Sequence, residues 1–319
     1  MSKIFSKKSL LTFLGAGTVL TVGLSFLNLC AAASNDFTIV AIPDTQHYSS
    51  QSYGGNITTF QSQVNWITNN ASNLNIKLAT HLGDIVDTGS NKTQLSRAQS
   101  AMTPLIGSSN TTIPFDILPG NHDGYDSQHV YSASNLTNYY NKYFLLASFS
   151  SKSWFGGSYP SGTMNNSYVT FSVGKMKFIN ISLGYKPDNA AKAWANSVLD
   201  SHSDYRAIIS THDYMSPSGI SKVGQGIWDS IIKNHSNVFM VLCGHNTREN
   251  MIVTNDAAGK PVYQIMQDYQ SDSKGGNGWL RYYKFVPSKN KIYVYTYSPL
   301  LGKYETDSDS QFTIPYNMQ

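Results

Sequence analysis

Lys77-Leu78-Ala79-Thr80-His81-Leu82-Gly83-Asp84-Ile85-Val86-Asp87 starts as an apolar strand and ends, after a glycine, in two carboxylates three residues apart. A strand carries its last side chains to one rim of a sheet, so a carboxylate just beyond it stands where residues from other strand ends can join it. Four more stretches have the same build: Asp44-Thr45-Gln46, Gly120-Asn121-His122-Asp123, Thr211-His212-Asp213 and Gly244-His245-Asn246-Thr247. Strand-like apolar runs precede them at residues 37–42, 115–118, 207–210 and 238–242. Five strand ends rich in carboxylate, imidazole and amide groups can surround a pair of cations that no single segment could hold.

The spaces between these runs read as helices. Phe60, Val64, Ile67, Ala71 and Leu74 recur at helical spacing, and helices are expected over residues 92–106, 189–202 and 222–234. Residues 168–173 and 176–183 flank Gly174-Lys175 as a hairpin, and after Gly244 short strands are expected at 249–254, 261–267, 279–285, 291–297 and 311–314. Two mixed sheets packed face to face with helices outside satisfy this pattern, an α/β fold with four-layer α/β/β/α sandwich architecture. The stretch 145–166, rich in Ser, Gly and Pro, shows no period; its Trp154 and Tyr159 either line a cleft or pin a surface excursion.

The chain of 319 residues is long enough for one large domain, expected over residues 34–319. Before it, Lys3, Lys7 and Lys8, the uncharged run from Leu10 to Leu29 and Ala31-Ala32-Ala33 read as a signal peptide over residues 1–33, or alternatively as a membrane anchor. The expected location is therefore secreted or periplasmic, with no membrane attachment after cleavage. Without that segment the formal charge of +4 falls to +1, which gives no support to nucleic-acid binding. Cys243 is then the single cysteine left, so the mature chain has no internal disulfide. Asn56, Asn91, Asn110 and Asn135 open Asn-x-Ser/Thr triplets.

A cation pair needs at least one shared carboxylate to offset its own repulsion, and Asp84, at the sharp turn after Gly83, suits that bridge. Asp87 is better placed to cap the next helix or hold the loop. Arg248, beside the last block, could meet a phosphate with its forked guanidinium or form a surface ion pair.

In order and spacing the five blocks resemble those of the calcineurin-like metallophosphoesterases, D-x-H, GDxxD, GNH[DE], a short histidine block and GHxH, with the likeness running from Asp44 to Thr247. Asn277-Gly278-Trp279-Leu280-Arg281 and Thr296-Tyr297-Ser298-Pro299 resemble secreted members whose first block is D-x-Q. The resemblance implies the metallo-dependent phosphatase-like fold and two divalent ions, drawn from Mn²⁺, Fe, Zn²⁺ or Mg²⁺. One would be held by Asp84, Asn121, His212 and His245, the other by Asp44, Gln46 and the shared Asp84. It implies His122 as proton donor to the leaving oxygen, Asp123 as the group orienting it, Asn121 as a substrate contact, and a metal-bound hydroxide as nucleophile attacking a phosphomonoester or phosphodiester.

Two positions depart from that pattern. Gln46 and Thr247 stand where the family has histidines, and both losses fall on the Asp44 side, replacing imidazoles with oxygen donors. That site is expected to bind loosely or to favour Mn²⁺ or Mg²⁺, while the His212/His245 site stays tight. The expected partner is a small phosphorylated substrate. The competing reading is a weakened phosphoesterase scaffold that only binds a phosphorylated ligand.

Overall fold

Phe37–Ile42 (β1) is a strand whose six side chains are all buried, as a strand flanked by others and covered on both faces must be. The structure is a computed structural model that describes residues 35–107 and 113–319. The expected signal segment and the acceptor Asn110 lie outside the described residues. The first half continues with β2 (Ile76–His81), β3 (Phe115–Asp116), β4 (Phe155–Tyr159), β5 (Asn166–Val173), β6 (Met176–Leu183) and β7 (Arg206–Thr211). The second half adds β8 (Met215–Ser216), β9 (Gly219–Ile220), β10 (Val238–Cys243), β11 (Arg248–Asn255), β12 (Pro261–Asp268), β13 (Leu280–Val286), β14 (Lys291–Ser298), β15 (Lys303–Glu305) and β16 (Phe312–Pro315).

One sheet runs β15-β14-β13-β1-β2-β3 with β16 also paired to β14, and the other runs β11-β12-β10-β7-β6-β5-β4. The centres of both are parallel: β1 with β2 and β2 with β3 in the first, β6 with β7, β7 with β10 and β10 with β12 in the second. Parallel strands end at the same edge, so each sheet presents a row of C-terminal strand ends.

Aromatic side chains lock the sheets face to face. Phe37 stacks on Phe285 with ring centroids 4.5 Å apart, Phe171 stacks on Phe178 at 5.0 Å, and Phe37 meets Phe178 edge-on at 5.1 Å across the layers. Nearer the rim the contact turns polar: Gln267 on β12 accepts from the Tyr283 hydroxyl on β13 at 2.7 Å and donates to Ala41 O on β1 at 3.3 Å. These bonds fix the two rows of strand ends against each other.

Helices Ile57–Asn69 and Lys92–Ile106 bury Phe60, Val64, Ile67, Leu95, Ala98 and Met102 in the core that holds β1 and β2. Asn189–Ser201 and Lys222–Ser230 bury Ala195, Leu199, Ile227 and Trp228 against β6, β7 and β10. The result is the four-layer α/β/β/α sandwich. Asn56, Asn91, Asp188 and Ser221 accept backbone N–H bonds at the starts of these four helices. Asn91 therefore caps Lys92–Ile106, and the capping role anticipated for Asp87 is corrected.

The aperiodic stretch also differs from expectation. It contains the short helix Leu146–Ser150 and the edge strand β4, with Trp154 buried in the core and Tyr159 stacked on Trp194 at 6.1 Å. Of the two readings open for these aromatics, the structure supports the pin and not the cleft lining. Its alternating pattern was hidden because β4 carries Gly156 and Gly157, whose missing side chains make room for the Tyr168 ring. Among the described residues, no helix is long and apolar enough to cross a membrane.

Candidate metal centre

The rim brings together ligand atoms of Asp84, His212 and His245, all within 4.8 Å of one another. His212 Nε2 is the focus: Asn121 Oδ1 lies 2.9 Å from it, His245 Nδ1 3.1 Å and Asp84 Oδ2 3.2 Å. His212 Nδ1 donates to Leu82 O at 2.9 Å, which fixes the ring and leaves Nε2 directed at the other three donors. Asn121 Nδ2 donates to the Tyr125 hydroxyl at 3.0 Å, so its oxygen is the atom turned toward His212. Two imidazole nitrogens, a carboxylate and an amide oxygen suit a borderline divalent cation, and the side chains of Asp84 and His212 are 1% and 0% exposed.

Backbone geometry aims these groups. Asp84 has φ of 48° and His245 φ of 71°, left-handed conformations that an Asp tolerates and a His adopts only against a steric cost. Asp84 Oδ1 accepts from the backbone N–H of His122 at 2.8 Å, which ties the second block to the third. The buried His81 ties the first block to the second: its Nδ1 accepts from Gly83 N at 3.2 Å, so Nε2 carries the proton and meets Thr45 Oγ1 at 3.0 Å. Burial pushes the His81 pKa down to about 3, keeping the ring neutral in this role.

The glycines of the blocks are spaces for carboxylates. A Cβ on Gly120 would lie 2.1 Å from Asp84 Oδ1, and one on Gly244 would lie 2.1 Å from Asp44 Oδ1. Asp44 is held there by the His245 backbone N–H, 3.3 Å from each of its carboxylate oxygens. Gly244→Ala should displace Asp44 and weaken uptake of a second divalent ion by about tenfold or more, with the first unchanged, in a Mn²⁺ titration.

The electrostatics ask for positive charge. Burial, then the charges of Asp268 and Asp84, push the Asp44 pKa well above the usual carboxylate range. Asp268 rises to about 6, chiefly through burial. Burial alone would raise Asp84 too, but the charge and hydrogen bond of His212 hold it below its ordinary value. Burial and the neighbouring His212 charge lower His245 to about 4. Buried carboxylates crowded in this way are stabilised by a shared cation, and the donor set present fits one.

Other expected residues fall as follows. Gln46 opens the short helix Gln46–Ser50 with its carboxamide nitrogen 3.4 Å from Asp84 Oδ2. Asp123 is corrected: its carboxylate accepts from the backbone N–H of Gly120, Val86 and Ile85 at 2.8, 3.0 and 3.2 Å, clasping two loops, and does not orient His122. Asp87 does that instead, with His122 Nδ1 2.8 Å from its carbonyl and 3.3 Å from its carboxylate. Thr247 and the exposed Arg248 line a cavity of about 250 Å³ together with Glu249, Asp268 and Asp272. Arg281 is fully buried, with its guanidinium engaged by Glu249 and Thr296.

Gln270, just past a sixth strand end, was missed. Parallel β12 delivers Asp268 and Gln270 to the same rim, where the Gln270 side chain meets Gln46. Strand 261–267 followed by Asp268-Tyr269-Gln270 repeats the build of the other blocks, and that was the signal available.

Comparison with known proteins adds three findings. The sequence model of the family described as calcineurin-like phosphoesterase matches residues 37–248, a span that contains all five blocks. The uncharacterized protein YvnB of Bacillus subtilis (strain 168) is 35% identical over 286 residues, 86% of this chain and 21% of that protein. The chain thus spans about a fifth of the length of this curated relative. Among solved structures, the purple acid phosphatase PPD1 from yellow lupin (Lupinus luteus) seeds aligns with TM-score 0.57 and 12% identity over 89% of this chain and 55% of that one. GAP50, the anchor in the inner membrane complex of Plasmodium, aligns with TM-score 0.51 and 12% identity over 89% of both chains. At that identity these two show a shared fold.

Proposed function

The chain belongs to the calcineurin-like phosphoesterase family, and from that premise we propose that it hydrolyses a small phosphomonoester or phosphodiester with the help of two divalent ions. Asp84, Asn121, His212 and His245 would hold one ion, and Asp44, Gln46 and the shared Asp84 the other. Bound there, the ions would neutralise phosphate charge and acidify a water.

The observation that carries this reading is the double use of Asp84. Its Oδ2 faces His212 while its Oδ1 accepts the backbone N–H of His122, so the residue proposed to move a proton is anchored to the proposed bridging ligand. Asp87 binds His122 at Nδ1 and leaves Nε2 as the nitrogen that gives its proton to the leaving oxygen. A pure phosphate binder has no need of a donor fixed in this way.

Burial would lower the His122 pKa, but the Asp87 hydrogen bond and the Asp84 charge outweigh it and raise the group to about 9. Nearby bound cations would pull that value back down. A proton donor works while protonated, so the rate should fall as pH rises through its pKa. Asp87→Asn removes a charge that favours the imidazolium, and the alkaline limb of kcat should move to lower pH by about one unit or more. A limb that stays put while kcat changes would assign Asp87 a purely structural role.

The direct test is turnover of an aryl phosphate and of its diester, with and without added Mn²⁺. Metal-dependent release of the aryl alcohol from either ester is expected. No release from both, at any Mn²⁺ level, would leave the ligand-binding scaffold as the better account.

A further inference from the structure

Gln46 is 1% exposed, and its Oε1 has no hydrogen-bond partner among the described residues. Its Nε2, by contrast, sits where two acceptors converge, Asp84 Oδ2 at 3.4 Å and Gln270 Oε1 in close contact. The orientation of Gln270 is settled by its own bonds. Its Nε2 donates to Asp268 Oδ2 at 2.8 Å and to His245 O at 3.4 Å, its backbone N–H donates to Asp268 Oδ1 at 3.0 Å, and His47 Nδ1 lies 3.0 Å from its carbonyl. Its side-chain oxygen is left to face the Gln46 carboxamide, which also meets Asp84 Oδ2.

A half-turn of the Gln46 carboxamide would exchange its nitrogen and oxygen. Three oxygens would then face one another, an arrangement that repels without a cation and coordinates one when it is present. With a cation between them, the turned Oε1 would gain the partner it lacks here, while Nε2 would move to the place Oε1 now occupies. We propose that Gln270, positioned by Asp268, is a ligand of the Asp44-side cation, so that oxygen donors from Asp44, Gln46, Asp84 and Gln270 replace the two imidazoles lost at Gln46 and Thr247. The site is rebuilt for an oxygen-preferring ion such as Mn²⁺ or Mg²⁺. This assignment rests on the two-cation reading of the centre.

The test is Mn²⁺ titration of the full chain by calorimetry, with electron paramagnetic resonance to distinguish a coupled pair from isolated ions. Wild type should take up two ions in a tight and a weaker class. Gln270→Met, similar in volume but without the oxygen, should weaken only the second class by about tenfold or more and convert the coupled signal to that of isolated ions. Gln270→Ala should do the same, and Asp268→Asn should weaken the second class by less. Unchanged binding in both Gln270 variants overturns the proposal, as does equal loss of both classes in variants that unfold at the wild-type temperature, or a single class in wild type. Should binding split as expected while no phosphate ester is hydrolysed, the phosphoesterase reading fails and the ligand assignment stands.

Discussion

Asp84→Asn should strip both divalent ions from the protein on dialysis and lower turnover of an aryl phosphate by about a thousandfold or more. Asparagine is the informative replacement because it accepts the left-handed φ of 48° at this position and can keep an oxygen on the His122 backbone N–H. What it loses is the second anionic oxygen, the one facing His212 at 3.2 Å. Removal of a single preorganised charge-stabilising group commonly costs about a hundred- to a thousandfold in kcat, and in the proposed centre one side chain serves two ions. Metal content and initial rate, measured on the same dialysed sample, check the expectation. Two ions retained as firmly as in wild type would show that Asp84 bridges nothing.

His122→Ala should lower kcat by about a hundred- to ten-thousandfold for an alkyl phosphate, whose leaving oxygen needs a proton. The loss should be much smaller for a nitrophenyl ester, whose leaving group departs as the anion. Both metal equivalents should remain, because the His122 ring is held by Asp87 and is not among the groups gathered around His212. Phosphate affinity should survive. Equal losses for the two esters would mean that His122 acts by some means other than proton donation, and no loss at all would favour the binding-only scaffold.

Much of this architecture can be read from the chain because its strongest signals are local. The β1 run Phe37–Ile42 and the helix Lys92–Ile106 have the bounds their patterns predict, since an unbroken apolar run marks the one and apolar side chains at helical spacing mark the other. Convergence of Asp84, Asn121, His212 and His245 follows from parallel strands sharing an edge. The partner of His122 was not readable in the same way. Asp123 adjoins it in sequence while Asp87 stands 35 positions away, and only the fold of the loop after β2 decides that the distant carboxylate turns to the ring while the adjacent one turns to three backbone N–H groups. Gln270 was missed for a related reason. An amide at a strand end is a common loop residue, and its significance depends on lying beside Gln46, 224 positions away. Pairing across such a separation leaves no local trace.

The most direct measurement is anomalous diffraction from crystals equilibrated with Mn²⁺. Two peaks about 3.5–4 Å apart, one beside His212 and His245, the other beside Asp44, and both within bonding reach of the Asp84 carboxylate, are the predicted result. Manganese bound elsewhere, or a peak near His212 with Asp84 turned away from it, would contradict the account.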